Sequence, residues 1–312
     1  MDSQQLHQLA KQKRSNREVG ITLLISSAIL ALFLFVPLDA PAPPTPIAAP
    51  PTTTAFDRVP IEATAAIVYD LATGETLFAK NADAQLPLAS LTKLLTVYTA
   101  LQYLALDTPI TIPREATTLE APRAFAAGQV FSLSDVARLT LTASLNDGAA
   151  AILAAAAAQM DRTPEEALAG AAAALNLSQT YAVNGSGLDV TGMISGGYGS
   201  ARDLALLSGA LVERAPTVAA ATTLPEASAT SKGGTSFTVL NTDPIVETIP
   251  HILLSKTGYT NLADGNLALV FDVGIDHPIA VVVLGSSKTA RFTDGAALVA
   301  ATLAHFAGVS SL

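Results

Sequence analysis

Short apolar runs that read as strands stand at both ends of the globular part of this chain, and a long Ala- and Leu-rich stretch that reads as helices lies between them. That order limits the fold more than any other feature. Near the front, Ala65–Asp70 and Glu75–Lys80 flank Ala72-Thr-Gly74, the pattern of strand, tight turn and strand. Near the end, Leu253–Tyr259, Asn266–Val273 and Pro278–Gly285 are apolar runs broken by Asp, Gly and Pro. The middle, from Ser132 to about Arg214, is predominantly helical in pattern. Its clearest helix start is Thr163-Pro-Glu-Glu166, with Thr as N-cap, Pro at the first helical position and Glu placed for a capping box. A closing helix is expected over about Thr293–Phe306. The prediction is an α+β fold: one antiparallel sheet built from both chain ends, with a helical insertion packed on it.

In front of that unit the composition changes twice. Residues 1–19 form a polar tail in which Lys11, Lys13, Arg14 and Arg17 outnumber Asp2 and Glu18, giving +2. The whole 312-residue chain carries −9, so the remainder carries −11. Gly20 to Val36 is a run of 17 residues without a charge, the lower limit for a spanning helix. With the basic flank on its N-terminal side it is expected to be a transmembrane signal-anchor over 20–37, leaving the tail cytoplasmic and the rest outside the cell membrane. A cleaved signal peptide is the competing expectation, and Pro41 just after the candidate cut at Asp39-Ala40 argues against it. Residues 38–56 are rich in proline and read as an extended linker. The catalytic or binding domain is then expected over 57–312.

Composition excludes several chemistries. No basic stripe or aromatic-interleaved cluster appears, so nucleic acid is not an expected partner. With no cysteine there is no thiol nucleophile, disulfide or Cys–zinc site. His7, His251, His277 and His305 are scattered without metal-ligand spacing, so neither a metal nor a cofactor is expected.

Three short motifs carry the candidate chemistry. Ser90-Leu-Thr-Lys93 opens an apolar run with helical spacing, which puts the serine hydroxyl and the lysine amine over one face. Such a pair serves as nucleophile and base; a serine N-cap followed by a solvated lysine is the alternative. Ser144-Leu-Asn146 and Lys256-Thr-Gly258 follow in order, the latter on a predicted strand. Ser-x-x-Lys, Ser-x-Asn and Lys-Thr-Gly in this order resemble the signature of penicillin-binding proteins and serine β-lactamases. The flanks Leu175–Leu188 and Ser200-Ala-Arg-Asp-Leu204 are most similar to those of low-molecular-weight D-alanyl-D-alanine carboxypeptidases. The likeness covers roughly residues 62–305.

That resemblance implies a serine carboxypeptidase acting on peptidoglycan stem peptides that end in D-Ala-D-Ala, with β-lactams as covalent inhibitors. It implies Ser90 as nucleophile, Lys93 as its base, and Ser144 as relay of a proton to the leaving amine. Asn146 would hold the substrate amide and Lys93, and Lys256, Thr257 and Arg291 would bind the terminal carboxylate. Gly258 would let the substrate lie along the strand, and the backbone N–H groups of Ser90 and Tyr259 would hold the oxyanion. Lys93 can act as base only when neutral, against an ordinary pKa near about 10.4; burial and a neighbouring cation, Lys256, both lower it.

The sequence departs from that pattern in places. Leu145 stands where Gly is common, and Asp243-Pro-Ile-Val246 and Ile252-Leu-Leu-Ser255 replace the usual segments before Lys-Thr-Gly. Glu165 and Glu166 fit a helix N-terminus rather than the deacylating role of a β-lactamase glutamate. The rival readings are a DD-endopeptidase on peptide cross-links and a non-turnover β-lactam or peptidoglycan sensor.

Overall fold

The computed structural model describes residues 3–35 and 55–308. The chain divides into two compact units, Met1–Pro51 and Thr52–Leu312. The described part of the first is one continuous helix, α1 (Ser3–Phe35). This overturns the expected transmembrane span over 20–37, and with it membrane anchoring through the N-terminal helix and the single-pass location. Among the described residues no helix is long and apolar enough to cross a membrane. The physical reason lies in the pattern. The half of α1 that precedes Gly20 is charged, including an exposed Arg14–Glu18 pair at 3.4 Å. The charge-free part begins only at Gly20 and α1 ends at Phe35, short of the roughly 20 apolar residues that a bilayer core needs. The Pro-rich stretch expected as a linker lies, over 38–54, outside the described residues.

The second unit is built on a five-stranded antiparallel sheet. Its strands are β1 (Ala65–Asp70), β2 (Thr76–Lys80), β10 (Ile252–Thr260), β11 (Asp264–Asp272) and β12 (Pro278–Ser286), in the order β10-β11-β12-β1-β2. The first strand therefore pairs with the last, Ile67 opposite Val282. Side-chain alternation divides two cores. Ala65, Ile67, Ala268, Val270, Ala280, Val282 and Leu284 face the helical lobe. Ala66, Val68, Leu267, Leu269, Phe271, Ile279, Val281 and Val283 face the other way. There Leu298 and Val299 of the closing helix α8 (Ala290–Phe306) cover them. Burial on both faces is why these strands read as unbroken apolar runs.

The insertion carries α2 (Thr92–Tyr103), α3 (Leu133–Ala143), α4 (Asn146–Met160), α5 (Pro164–Ala174), α6 (Ala201–Arg214) and the short α7 (Pro216–Ala221). The predicted capping box of α5 is present, Thr163 Oγ1 accepting from Glu166 N and Glu166 Oε2 from Thr163 N. Small strands tie the lobe together: β3 (Leu86–Pro87), β6 (Tyr181–Ala182) and β7 (Gly197–Gly199) in one sheet, β4 (Pro109–Thr111) with β5 (Val130–Ser132), and the hairpin β8 (Glu226–Thr230)–β9 (Ser236–Leu240). The sequence pattern had not marked that hairpin, whose strands are short and half exposed.

Candidate active site

The first motif sits where a single 3₁₀ turn, Ala89–Leu91, runs into α2. The turn starts from Ala89 at φ +47°, a conformation that a side chain makes costly, and it points the Ser90 hydroxyl at the next helical turn. Lys93 Nζ lies 2.8 Å from Ser90 Oγ and donates to the Ser186 carbonyl at 2.7 Å. The alternative of a capping serine fails on geometry, because no side chain caps the 3₁₀ turn or α2. A solvated lysine fails too, since Lys93 is 0 % exposed.

Ser144 occupies the junction of α3 and α4 in the left-handed region, φ +60° and ψ +37°. From there its Oγ meets Lys256 Nζ at 3.0 Å, and the same ammonium donates to the Thr257 carbonyl at 2.7 Å. Residues 112 apart in sequence are joined by that contact. Gly258 explains itself by space: a Cβ there would lie 2.9 Å from the Leu88 carbonyl oxygen and 3.3 Å from the backbone nitrogen of Ser90. Only glycine lets β10 approach the Ser90 turn this closely. Arg291, at the start of α8, donates from a terminal guanidinium nitrogen to the Gly258 carbonyl, while its buried Nε has no partner. The Tyr259 ring is partly exposed, with Lys288 Nζ 5.1 Å from its centroid.

Asn146 differs from expectation. Its Nδ2 donates to the Glu120 carbonyl at 2.9 Å, and its Oδ1 is buried without a partner; the hydrogen bonds of Lys93 go to Ser90 and Ser186 instead. Ser90, Asn146 and Tyr259 line one cleft of about 400 Å³, together with Glu120, Leu188 and Asp189.

The electrostatics follow from burial. Taking an ammonium out of water disfavours its charged form. Burial therefore pushes Lys93 well below its ordinary range, the nearby Lys256 charge adds to this, and Asp147 opposes it. Burial brings Lys256 down to about 7, with Arg291 adding to the depression and Asp243 opposing it. The Arg291 guanidinium is lowered by burial and held up by Asp243. Lys256 and Arg291 thus lie buried near each other, with Asp243 as the carboxylate that opposes both shifts.

Several residues that shape the site were not among those singled out in the sequence. Asn184 Oδ1 gathers Ser186 N, Ser186 Oγ and Gly187 N, which presents the Ser186 carbonyl to Lys93. Gly187, at φ +75°, passes so near the Ser90 turn that a Cβ would lie 1.8 Å from the Ala89 carbonyl oxygen. Asp147 Oδ2 holds Ala124 N and Phe125 N, fixing the loop that borders Asn146. The signal available for the first two was the polar, Gly-rich turn Asn184-Gly-Ser-Gly187. Asp147 had none, because its partners are backbone groups of a distant loop.

A family model described as D-alanyl-D-alanine carboxypeptidase matches residues 51–288. Among solved structures, a D-alanyl-D-alanine carboxypeptidase from Mycobacterium tuberculosis is 23 % identical, with a TM-score of 0.69 over 83 % of this chain and 96 % of that one. Penicillin-binding protein D2 from Listeria monocytogenes, in an ampicillin-bound form, is 27 % identical, with a TM-score of 0.66 over 78 % of this chain and 98 % of that one. A Streptomyces DD-transpeptidase is 21 % identical, with a TM-score of 0.68 over 78 % of this chain and 98 % of that one.

Proposed function

This chain belongs to the D-alanyl-D-alanine carboxypeptidase family of serine peptidases that process peptidoglycan, and from that premise we propose that it removes the terminal D-alanine of stem peptides through an acyl-enzyme on Ser90. The observation that carries the reading is the fully buried Lys93 amine 2.8 Å from Ser90 Oγ. A lysine kept neutral there takes the serine proton as Oγ bonds to the carbonyl carbon of the penultimate D-alanine.

The oxyanion that forms is held by the backbone N–H groups of Ser90 and Tyr259. When the C–N bond breaks, the leaving nitrogen takes the hydroxyl proton of Ser144, and Lys256 refills it across their 3.0 Å contact. Water then attacks the ester, the Ser90 oxygen recovers its proton from Lys93, and a water proton returns to Lys256. Thr257, Lys256 and Arg291 receive the substrate carboxylate. Asn146, with its unpartnered Oδ1, takes the N–H of the substrate amide. The edge of β10 lets the peptide pair as an added strand, and a β-lactam acylates the same hydroxyl, as the ampicillin-bound Listeria relative suggests.

The test is release of D-alanine from diacetyl-Lys-D-Ala-D-Ala by the full chain. We expect the Ser90→Ala variant to lose on the order of 10³-fold or more. Equal release by the variant would remove Ser90 from the reaction.

A further inference from the structure

Five aspartates are buried among the described residues: Asp70, Asp147, Asp203, Asp243 and Asp294. Four serve the fold near them. Asp70 receives the Ala72 and Thr73 N–H groups and pairs with His277. Asp147 receives Ala124, Phe125 and Gly148. Asp203 receives Gln179 N and the Thr180 hydroxyl. Asp294 receives Glu62 N, Ala63 N and the Ser286 hydroxyl.

Asp243 is placed differently. Its Oδ2 accepts from Ser255 Oγ at 2.6 Å, one residue before Lys256, and its Oδ1 accepts from Ile245 N at 2.9 Å. The preceding residue, Thr242, shares a 2.7 Å hydroxyl contact with Thr257, one residue after Lys256. Two side-chain bonds therefore lash Thr242-Asp243 alongside Ser255-Lys256-Thr257. Asp243 is 2 % exposed, so its charge is screened by protein rather than by water and salt. It also lies in the stretch where this sequence departs from the pattern it otherwise resembles.

We infer that Asp243 is a positioning residue for the carboxylate-binding end of the cleft: its buried charge favours the cationic form of Lys256, beside Arg291, while the site is empty. The inference rests on the role proposed above for those two cations. The charges acting on Lys256 are Arg291 on one side of the balance and Asp243 on the other, with the Ser144 hydroxyl in contact; the titratable Lys93 is also near, depressed by burial, and Asp147 faces it. Arg291 opposes the charge on the buried Lys256 and Asp243 supports it, so without Asp243 the Lys256 ammonium would shed its proton more readily.

The sign is fixed by this arrangement. A carboxylate beside an ammonium raises its pKa, so neutralising the carboxylate lowers it. Lys256, which stands at about 7, would then be uncharged at neutral pH, and its hold on a substrate carboxylate would weaken.

The direct measurement is the titration midpoint of Lys256 in the full chain labelled with ¹³Cε-lysine, its resonance assigned by its loss in Lys256→Arg. We expect Asp243→Asn to lower the midpoint by about one pH unit and Asp243→Glu to restore it. At pH about 7.5 the KM for a carboxylate-terminated peptide should rise roughly tenfold in Asp243→Asn, with the matching C-terminal amide unaffected. A purely structural residue would move neither the midpoint nor that selectivity. Should Asp243→Asn fail to melt like the wild type, Asp243→Ser, which is also neutral and keeps a hydroxyl for Ser255, is read in the same way. An unmoved midpoint in a folded neutral variant overturns the inference. A lowered midpoint in a protein whose Ser90→Ala variant still releases D-alanine would leave Asp243 in its role and overturn the reading of Ser90.

Discussion

The sheet core beneath α8 and the cleft around Ser90 are both buried, yet they are built on opposite principles. In the core, Leu267, Leu269, Phe271, Ile279, Val281 and Val283 project alternately from β11 and β12, with no charged group among them. Its Val, Ile and Phe side chains are of the types that strands favour. The cleft buries Lys93, Lys256 and Arg291 within 7 % exposure, leaves Arg291 Nε and Asn146 Oδ1 without partners, and holds Ala89 and Ser144 at positive φ. Each of these features costs free energy in the empty protein. The contrast teaches where this fold draws its stability and where it gives some up, since a site that buries charges and leaves polar atoms unpaired cannot also be a relaxed one.

The comparison can be broken most sharply at Lys93. Lys93→Met should abolish acylation, by on the order of 10³-fold or about 4 kcal/mol of barrier, while leaving Tm within a few degrees of wild type or raising it. A large fall in Tm would mean that the buried lysine is a structural strut. Phe271→Ala should do the reverse. A cavity under a fully buried ring costs about 3–5 kcal/mol, seen in urea or thermal unfolding, yet the molecules that remain folded should acylate at the wild-type rate.

Gly258→Ala tests the seam between the two regions. Its Cβ would press on the Leu88 carbonyl at 2.9 Å, so we expect about 1–3 kcal/mol of lost stability together with slower acylation, as β10 is levered from the nucleophile turn. Slower acylation without lost stability would show that substrate, rather than the protein, needs the space.

The smallest effect lies far from the cleft, in the turn between β11 and β12. Ile275 and Asp276 both sit at positive φ, and Ile275 is 99 % exposed, a conformation that suits Asn-Gly better. Replacing the pair by Asn-Gly should stabilise by about 0.5–1 kcal/mol and leave acylation unchanged.

Much of this architecture was legible in the residues. The strands at either end showed because β1, β11 and β12 are buried on both faces and so need apolar side chains throughout. The start of α5 showed because Thr163, Pro164 and Glu166 satisfy its first N–H groups locally. The N-terminal span was misjudged because its 17 charge-free residues stood at the lower limit for a span, and α1 ends at Phe35, short of the roughly 20 apolar residues that a bilayer core needs. The β8–β9 hairpin was missed because half-exposed strands carry no continuous apolar signal.

The candidate site divides along the same line. Ser90 and Lys93 face each other because a helical turn brings residues three apart together, so that pairing was written in the sequence alone. Gly258 was marked only by the resemblance, for a substrate lying along the strand; its close approach to the Leu88 carbonyl is a tertiary fact. The 3.0 Å contact of Lys256 with Ser144, the presentation of the Ser186 carbonyl by Asn184, and the burial that lowers the pKa of Lys93 were decided only by tertiary structure. They depend on segments tens to more than a hundred residues apart meeting in space. A pKa is a property of the space around an amine, and no spacing of letters along the chain sets how much water that space excludes.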